Sequence, residues 1–274
     1  MNTTEKIRPF SPSLCQLITL TACAMAGPNV ATAAPVLQWK LEEGAGNFVA
    51  ESISTESTVA KIVGDQERFL WVEGFAPDNS AAIWSFGSRL PDAHIDAGTL
   101  RADNSYVPGD DPGFRTLTGN YTITAWIKPV TNAGGGRRAI FSSLDGTRFY
   151  YRAGAIGSVF SDGSSNPESP TTAVKQGERH LVALIVDTSG SAVGGLPNEN
   201  RIAIWDGTAW QTQDNDSSAP LDLRGMLIGA FDNPSTSTVF SGRIDEVTLF
   251  DRALTEEEVA MLYRTAQQEI AKLK

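Results

Sequence analysis

The chain has 274 residues, 41% of them hydrophobic and 20% charged, with a formal net charge of −10. That is enough chain for one large core or two small ones, and no apolar run reaches the ~18 residues of a membrane-spanning helix. The acidic balance argues against nucleic acid or an anionic membrane as partner, because phosphates would be repelled rather than neutralised.

The first expected element, over residues 1–33, is an export signal. Lys6 and Arg8 supply a basic start, and Leu14 to Ala26 (LCQLITLTACAMA) is a short, mostly apolar core. Gly27-Pro28 breaks it, and Ala31-Thr32-Ala33 gives the small-x-small pattern of a cleavage site. Cleavage after Ala33 would leave residues 34–274, one unit more negative once Lys6, Arg8 and Glu5 are gone. Leu20-Thr21-Ala22-Cys23 offers an alternative, a short lipobox whose acylated Cys23 would anchor the domain to a membrane. Both cysteines, Cys15 and Cys23, lie in this segment, so on the conventional reading the mature part has no disulfide and no thiol chemistry.

From Val36 onward the periodicity is mainly two. Strands are expected at Val36–Leu41 and Ala81–Phe86, with His94 in a loop between Pro91 and the next strand. Tyr121 to Lys128 alternates, with Tyr121, Ile123, Ala125 and Ile127 on one face and Thr122, Thr124 and Trp126 on the other. Pro129 closes that strand, since proline cannot donate to the ladder. Ala139–Ser143 and Arg148–Arg152 follow, and His180 to Val186 is a continuous apolar run suited to a strand covered on both faces. Arg201–Trp205 and Thr208–Gln211 flank Asp206-Gly207 and read as a hairpin with a tight turn. Met226–Ile228, Val239–Phe240 and Ile244–Phe250 complete the set, with Gly-, Pro-, Asn- and Ser-rich stretches between. Many short strands separated by turn signals predict an all-β fold, a two-sheet antiparallel sandwich.

One helix is expected, over residues 255–272. Thr255 and Glu258 form a capping box, and Val259, Leu262, Ala266, Ile270 and Leu273 make one apolar stripe for packing on the sandwich edge.

The segment 240–263, FSGRIDEVTLFDRALTEEEVAMLY, resembles the closing signature of laminin-G-like jelly rolls in the concanavalin-A-like lectin/glucanase superfamily. YTITAWIKP (121–129), HLVALIVD (180–187), IAIWDG (202–207), LRGMLIGA (223–230) and the opening LQWKLEEGAG (37–46) follow that family's order and spacing. The resemblance covers about residues 36–265 and implies a jelly-roll sandwich with a short C-terminal α-helix over 34–274. Two departures stand out. Glu178-Arg179 replaces the Trp that often precedes the strand's His, and region 47–118 matches poorly.

The β-glucan hydrolases of the superfamily carry Glu-x-Asp-x-x-Glu on one strand, which aims a nucleophile and an acid/base at one cleft. That motif is missing, and strict alternation would put Asp245 and Glu246 on opposite faces, useless as a pair. The mature part has two histidines, His94 and His180, with no nucleophile elbow, phosphate-binding glycine loop or zinc-type cluster. No enzyme is therefore expected. Calcium needs only oxygen ligands, which sandwich loops supply. The resemblance implies a structural calcium on Asp245 with Glu51 or Glu43, and the loops Asp110-Asp111 and Asp214-Asn215-Asp216 are looser candidates. Hydrogen bonds from backbone amides are the alternative role for Asp245.

Sugar rings stack on aromatic faces, which singles out Trp126, Trp205, Trp210 and Tyr150, the last beside Arg152 and opposite Phe149 and Tyr151. The expectation is an exported, secreted or surface-attached binding module for an extracellular glycan or protein. The alternatives are a structural or adhesive interaction domain, and then a glycoside hydrolase.

Overall fold

The computed structural model describes residues 34–43, 45, 48–50, 52, 59–63, 69–72, 74–75, 82–86, 94–96, 116–117, 119–130, 135–143, 147–160, 168, 173–188, 201–205, 209–214, 221–223, 226–231 and 238–272. All of them lie in the unit Ala33–Lys274, and residues 1–33, with Cys15 and Cys23, fall outside them.

In chain order the strands are β1 (Leu37–Trp39), β2 (Phe48–Ala50), β3 (Val59–Val63), β4 (Phe69–Val72), β5 (Ala82–Phe86) and β6 (His94–Asp96). Next come β7 (Thr116–Leu117), β8 (Tyr121–Pro129), β9 (Arg138–Ser142), β10 (Arg148–Arg152), β11 (Ala155–Val159) and β12 (His180–Asp187). Then follow β13 (Arg201–Trp205), β14 (Trp210–Asp214), β15 (Leu221–Asp222), β16 (Leu227–Ile228), β17 (Ser241–Phe250) and the helix α1 (Glu256–Lys272). The first sheet runs β14-β13-β12-β8-β17-β5-β4, with β1 also paired to β17. The second runs β11-β10-β9-β16-β6-β3-β2, and β15 pairs with β7. These pairings are antiparallel, as expected of a jelly roll.

The main core sits where the two sheets face each other. Tyr121, Ile123, Ala125 and Ile127 of β8 meet Val182, Leu184 and Val186 of β12 in one cluster with Ile62, Ile95, Phe141, Phe149 and Tyr151 of the second sheet. Each Ile, Leu, Val or Phe side chain among these is worth ~1.5–3 kcal/mol when fully removed from water. The alternation expected of β8 therefore holds, and β12 is covered on both faces as its sequence suggested.

β17 departs from simple alternation. Asp245 pairs with Trp126 and Thr248 with Thr124, so two residues oppose Ala125 in a β-bulge, where Glu246 has φ +47°. The bulge lets Ile244 and Val247, three residues apart, both enter the core. The expectation that Asp245 and Glu246 simply alternate is thus corrected. Gly242, just before, has φ +142°, and an added Cβ would stand 2.2 Å from the Lys128 carbonyl oxygen. The close approach of β17 to β8 requires glycine there.

Region 47–118, which matched poorly, contributes β2 to β7. His94 opens β6 rather than lying in a loop. Val239–Phe240 precedes a single longer strand, β17. The expected β13–β14 hairpin forms, with Trp205↔Trp210 as its last pair before the turn. Residues 206–208 lie outside the described ones.

On the central strands β8, β12 and β17 the outer face of the first sheet is covered by α1. Trp126, Leu181, Ala183, Ile185 and Phe250 pack there with Phe75, Leu254 and Val259, joined by Tyr263 and Ala266. Thr255 caps the helix: its amide donates to Glu258 Oε2 at 2.8 Å, and the Glu258 amide donates to Thr255 Oγ1 at 3.2 Å. Arg252 donates to both Glu258 oxygens, which holds the Glu258 carboxyl below its ordinary range. The packing stripe is Val259, Tyr263 and Ala266. Leu262 is instead 39% exposed, so the expected stripe is turned by one residue at its centre. The position of the family's missing Trp is also explained: the Arg179 guanidinium lies over the Phe75 ring at 5.6 Å and donates to the Phe75 carbonyl.

Candidate ligand-binding face

The aromatic residues singled out from sequence divide between the two sheets. Trp126 is 5% exposed and stacks on Tyr263, with centroids 5.8 Å apart. Its ring faces the helix, so the reading of Trp126 as an exposed sugar platform is corrected. Trp205 packs partly buried against the same cluster. Trp210 pairs with it across the hairpin, and the Trp210 side chain lies outside the described set. Tyr150 alone stands on the second sheet, and it is fully buried there, so the reading of its ring as an exposed sugar platform is corrected as well.

Asp245 is fully buried, and its carboxylate faces amides. Phe75 N–H donates to Oδ2 and Glu246 N–H to Oδ1, both at 2.9 Å. Glu43 is exposed on the chain after β1, and Glu51, Asp110, Asp111, Asn215 and Asp216 lie outside the described residues. Asp214 ends β14. Among the described residues no group of three Asp, Glu, His or Cys side chains is placed to hold a metal ion. Both Asp245 oxygens thus accept backbone amides, the alternative role expected of it, and the residue clasps the Phe75 segment. His180 is buried, and its Nε2 accepts from the Lys175 amide at 3.1 Å, a structural role.

The outer face of β9, β10 and β11 carries the other concentration of polar chemistry. Alternation along RFYYR (148–152) sends Phe149 and Tyr151 into the main core, and Tyr150 into a separate cluster with Ala139, Phe231 and Val159. Tyr150 pairs with Gly157, where an added Cβ would stand 2.5 Å from the Tyr150 hydroxyl. The missing side chain of Gly157 is the seat of the ring.

Above the ring lies the Arg137 guanidinium, 4.9 Å from its centroid, and Arg148 lies over Phe231 at 5.0 Å. The Tyr150 hydroxyl donates to Glu168 Oε1 at 3.0 Å, and Arg152 donates to the same oxygen at 3.1 Å. Arg152 Nε also donates to the Gly135 carbonyl at 2.8 Å, fixing its fork toward Glu168. Burial pushes the Tyr150 phenol up to about 12, with the Glu168 charge adding and Arg137 opposing. Tyr150 is therefore a neutral donor at ordinary pH, set beside guanidinium groups that cannot lose their charge. Arg137, Glu168, Phe231 and Gly157 were not identified from sequence. The R-x-Y-x-R alternation of β10 signalled only the face they share, by placing Arg148, Tyr150 and Arg152 on it.

Residues 101–260 match the Laminin_G_3 model, described as concanavalin A-like lectin/glucanases superfamily. No curated protein matches the chain in sequence. Among solved structures, the binding domain of Paraclostridial Mosquitocidal Protein 1 is similar at TM-score 0.58 and 14% identity, over 84% of this chain and 52% of that one. The botulinum neurotoxin type G receptor binding domain gives 0.55 and 11%, over 85% and 51%. Domain 4 of AbnA, a GH43 extracellular arabinanase from Geobacillus stearothermophilus in complex with arabinotriose, gives 0.50 and 15%, over 84% and 98%. The chain spans about half the length of the toxin domains, and at these identities the likeness is one of fold.

Proposed function

The chain belongs to the concanavalin A-like lectin/glucanase superfamily, and on that premise we propose that it is an exported, non-catalytic binding module. Its ligand is a carbohydrate or an extracellular protein, taken on the outer face of β9–β11. One observation carries this reading. On its central strands β8, β12 and β17 the first sheet's outer face is covered by α1 and Phe75, whereas the second sheet carries Arg137, Arg152 and Glu168 at its surface, over a Tyr150 ring that is itself buried. Aromatic rings with convergent polar groups are the usual make-up of a small-ligand site.

The binding role is further supported by the solved structures that share the fold, two of them toxin binding domains and one an arabinanase domain in complex with arabinotriose. The non-catalytic reading is supported by the missing Glu-x-Asp-x-x-Glu strand and by Asp245 being occupied with backbone amides. Export is supported by the signal-like residues 1–33, and no helix among the described residues is long and apolar enough to cross a membrane. The mass of the mature N-terminus separates cleavage after Ala33 from acylation at Cys23. A glycan and matrix-protein array, run with and without calcium, tests the binding role. Reproducible binding is expected, and a blank array in both conditions sinks it.

A further inference from the structure

We propose that the ligand of this face is acidic, a carboxylated or sulfated polysaccharide, and that its anionic group takes the position which Glu168 fills in the free protein. The inference rests on reading the β9–β11 face as the binding site and names the class of ligand that face accepts.

A neutral sugar ring needs an open aromatic face to stack on. Here both rings already carry a guanidinium: Arg137 over Tyr150 and Arg148 over Phe231. Stacking on a ring leaves the edge of a guanidinium for hydrogen bonding, and its planar fork matches a carboxylate or sulfate better than a hydroxyl. Arg137 is exposed to solvent, so this edge is open to a ligand.

The face also shows its preference directly. Tyr150 and Arg152 converge on one carboxylate oxygen, Glu168 Oε1, at 3.0 and 3.1 Å, with Arg152 anchored from behind by the Gly135 carbonyl. Two donors on different atoms, aimed at a single anionic oxygen, form a carboxylate cradle. Glu168 occupies it from a distance of 16 residues along the chain from Arg152 and 18 from Tyr150, so the contact is made by the fold and not by a local turn. Its side chain is 26% exposed, at the rim where a dissolved anion can compete for the same donors. Tyr150 is fully buried while Glu168 is in place, so its hydroxyl meets a ligand only where that ligand displaces Glu168, and it keeps its proton up to about 12 as the donor to either anion. The chain's net charge of −10 does not oppose this locally, since at physiological salt charges beyond about 8 Å are screened.

The test uses the full-length protein against immobilised polygalacturonate, heparin and neutral arabinan, with Glu168→Gln, Arg152→Gln, Arg137→Gln and Arg137→Lys. Binding to one or both polyanions is expected, weakening with added salt, and which of the two binds separates carboxylate from sulfate. Glu168→Gln removes the competing internal charge and should tighten binding about tenfold, while Arg152→Gln should weaken it about tenfold, one charge-assisted hydrogen bond each way. Arg137→Gln should weaken binding and Arg137→Lys partly restore it, with unchanged far-UV circular dichroism throughout.

Binding of arabinan alone overturns the acidic class and leaves the binding-module reading standing. Polyanion binding that Glu168→Gln leaves unchanged or weakens also overturns the proposal, since Glu168 would then not be the ligand's stand-in. No binding to any probe, together with a blank array, removes both readings.

Discussion

The Trp126 ring lies stacked on Tyr263, centroids 5.8 Å apart and planes 24° from parallel, joining the central strand β8 to the helix α1. This contact helps cover the outer face of the first sheet at its central strands β8, β12 and β17. Tyr263→Ala should therefore cost about 2 kcal/mol of stability and raise acrylamide quenching of tryptophan fluorescence. Unchanged stability and quenching would mean that α1 does not seal that face.

Asp245 holds Phe75 across 170 residues of sequence with a buried 2.9 Å hydrogen bond. Asp245→Ala leaves the Phe75 and Glu246 amides without this acceptor and should cost about 3 kcal/mol. Chelation of divalent cations should leave the melting temperature of the unaltered protein where it is. A fall of several degrees on chelation would instead place a bound ion in the fold.

The helix cap predicts acid sensitivity. The hydrogen bond from Arg252 holds the folded-state Glu258 carboxyl below its ordinary range, despite the opposing effect of burial. Its stabilisation is therefore fully present above the unfolded carboxylate value and is lost as pH falls through the lowered folded one. Glu258→Gln should lower the melting temperature at pH 7 and remove that part of its decline below pH 4.5. An equal decline in both proteins would show that the cap does not titrate.

At the alkaline end the sign reverses. Burial raises the Tyr150 phenol to about 12, so its contribution is full below the unfolded value of about 10 and is lost as pH rises through about 12. Tyr151 is also raised by burial. Phenolate absorbance should show late-titrating tyrosines, and Tyr150→Phe should remove one of them. If the late component keeps its full amplitude in Tyr150→Phe, Tyr150 is not held as described.

Gly242→Ala should fail to fold or lose more than about 3 kcal/mol, since its Cβ would meet the Lys128 carbonyl at 2.2 Å in a backbone conformation that L residues avoid. Wild-type stability in urea would contradict the close approach of β17 to β8.

Much of the sandwich is legible because its period is local. Tyr121–Lys128, Arg148–Arg152 and His180–Val186 declare strands by alternation or by a continuous apolar run, and Thr255 with Glu258 declares the helix start. What escaped detection depends on partners distant in sequence. β2, β3 and β6 have three to five residues each, too short to show a period, and owe their existence to pairing across the second sheet. The bulge at Asp245 and Glu246 breaks the alternation that the sequence suggests, because Ile244 and Val247 both serve the core. The helix stripe passes through Tyr263 rather than Leu262 because Trp126 lies beneath it. Tyr150 and Arg152 could be placed on one face from RFYYR alone. Glu168 and Phe231 could not, since nothing local links them to that strand, and Gly157 could not because its short strand β11, AIGSV, shows no clear period of its own.

The binding face is tested most directly by titrating the isotopically labelled protein with the strongest ligand from the array and following backbone amide chemical shifts. The largest changes should fall on Arg137, Tyr150, Arg152, Gly157 and Glu168. Changes confined to the β13–β14 hairpin or to α1, with the β9–β11 amides unmoved, would contradict the assignment.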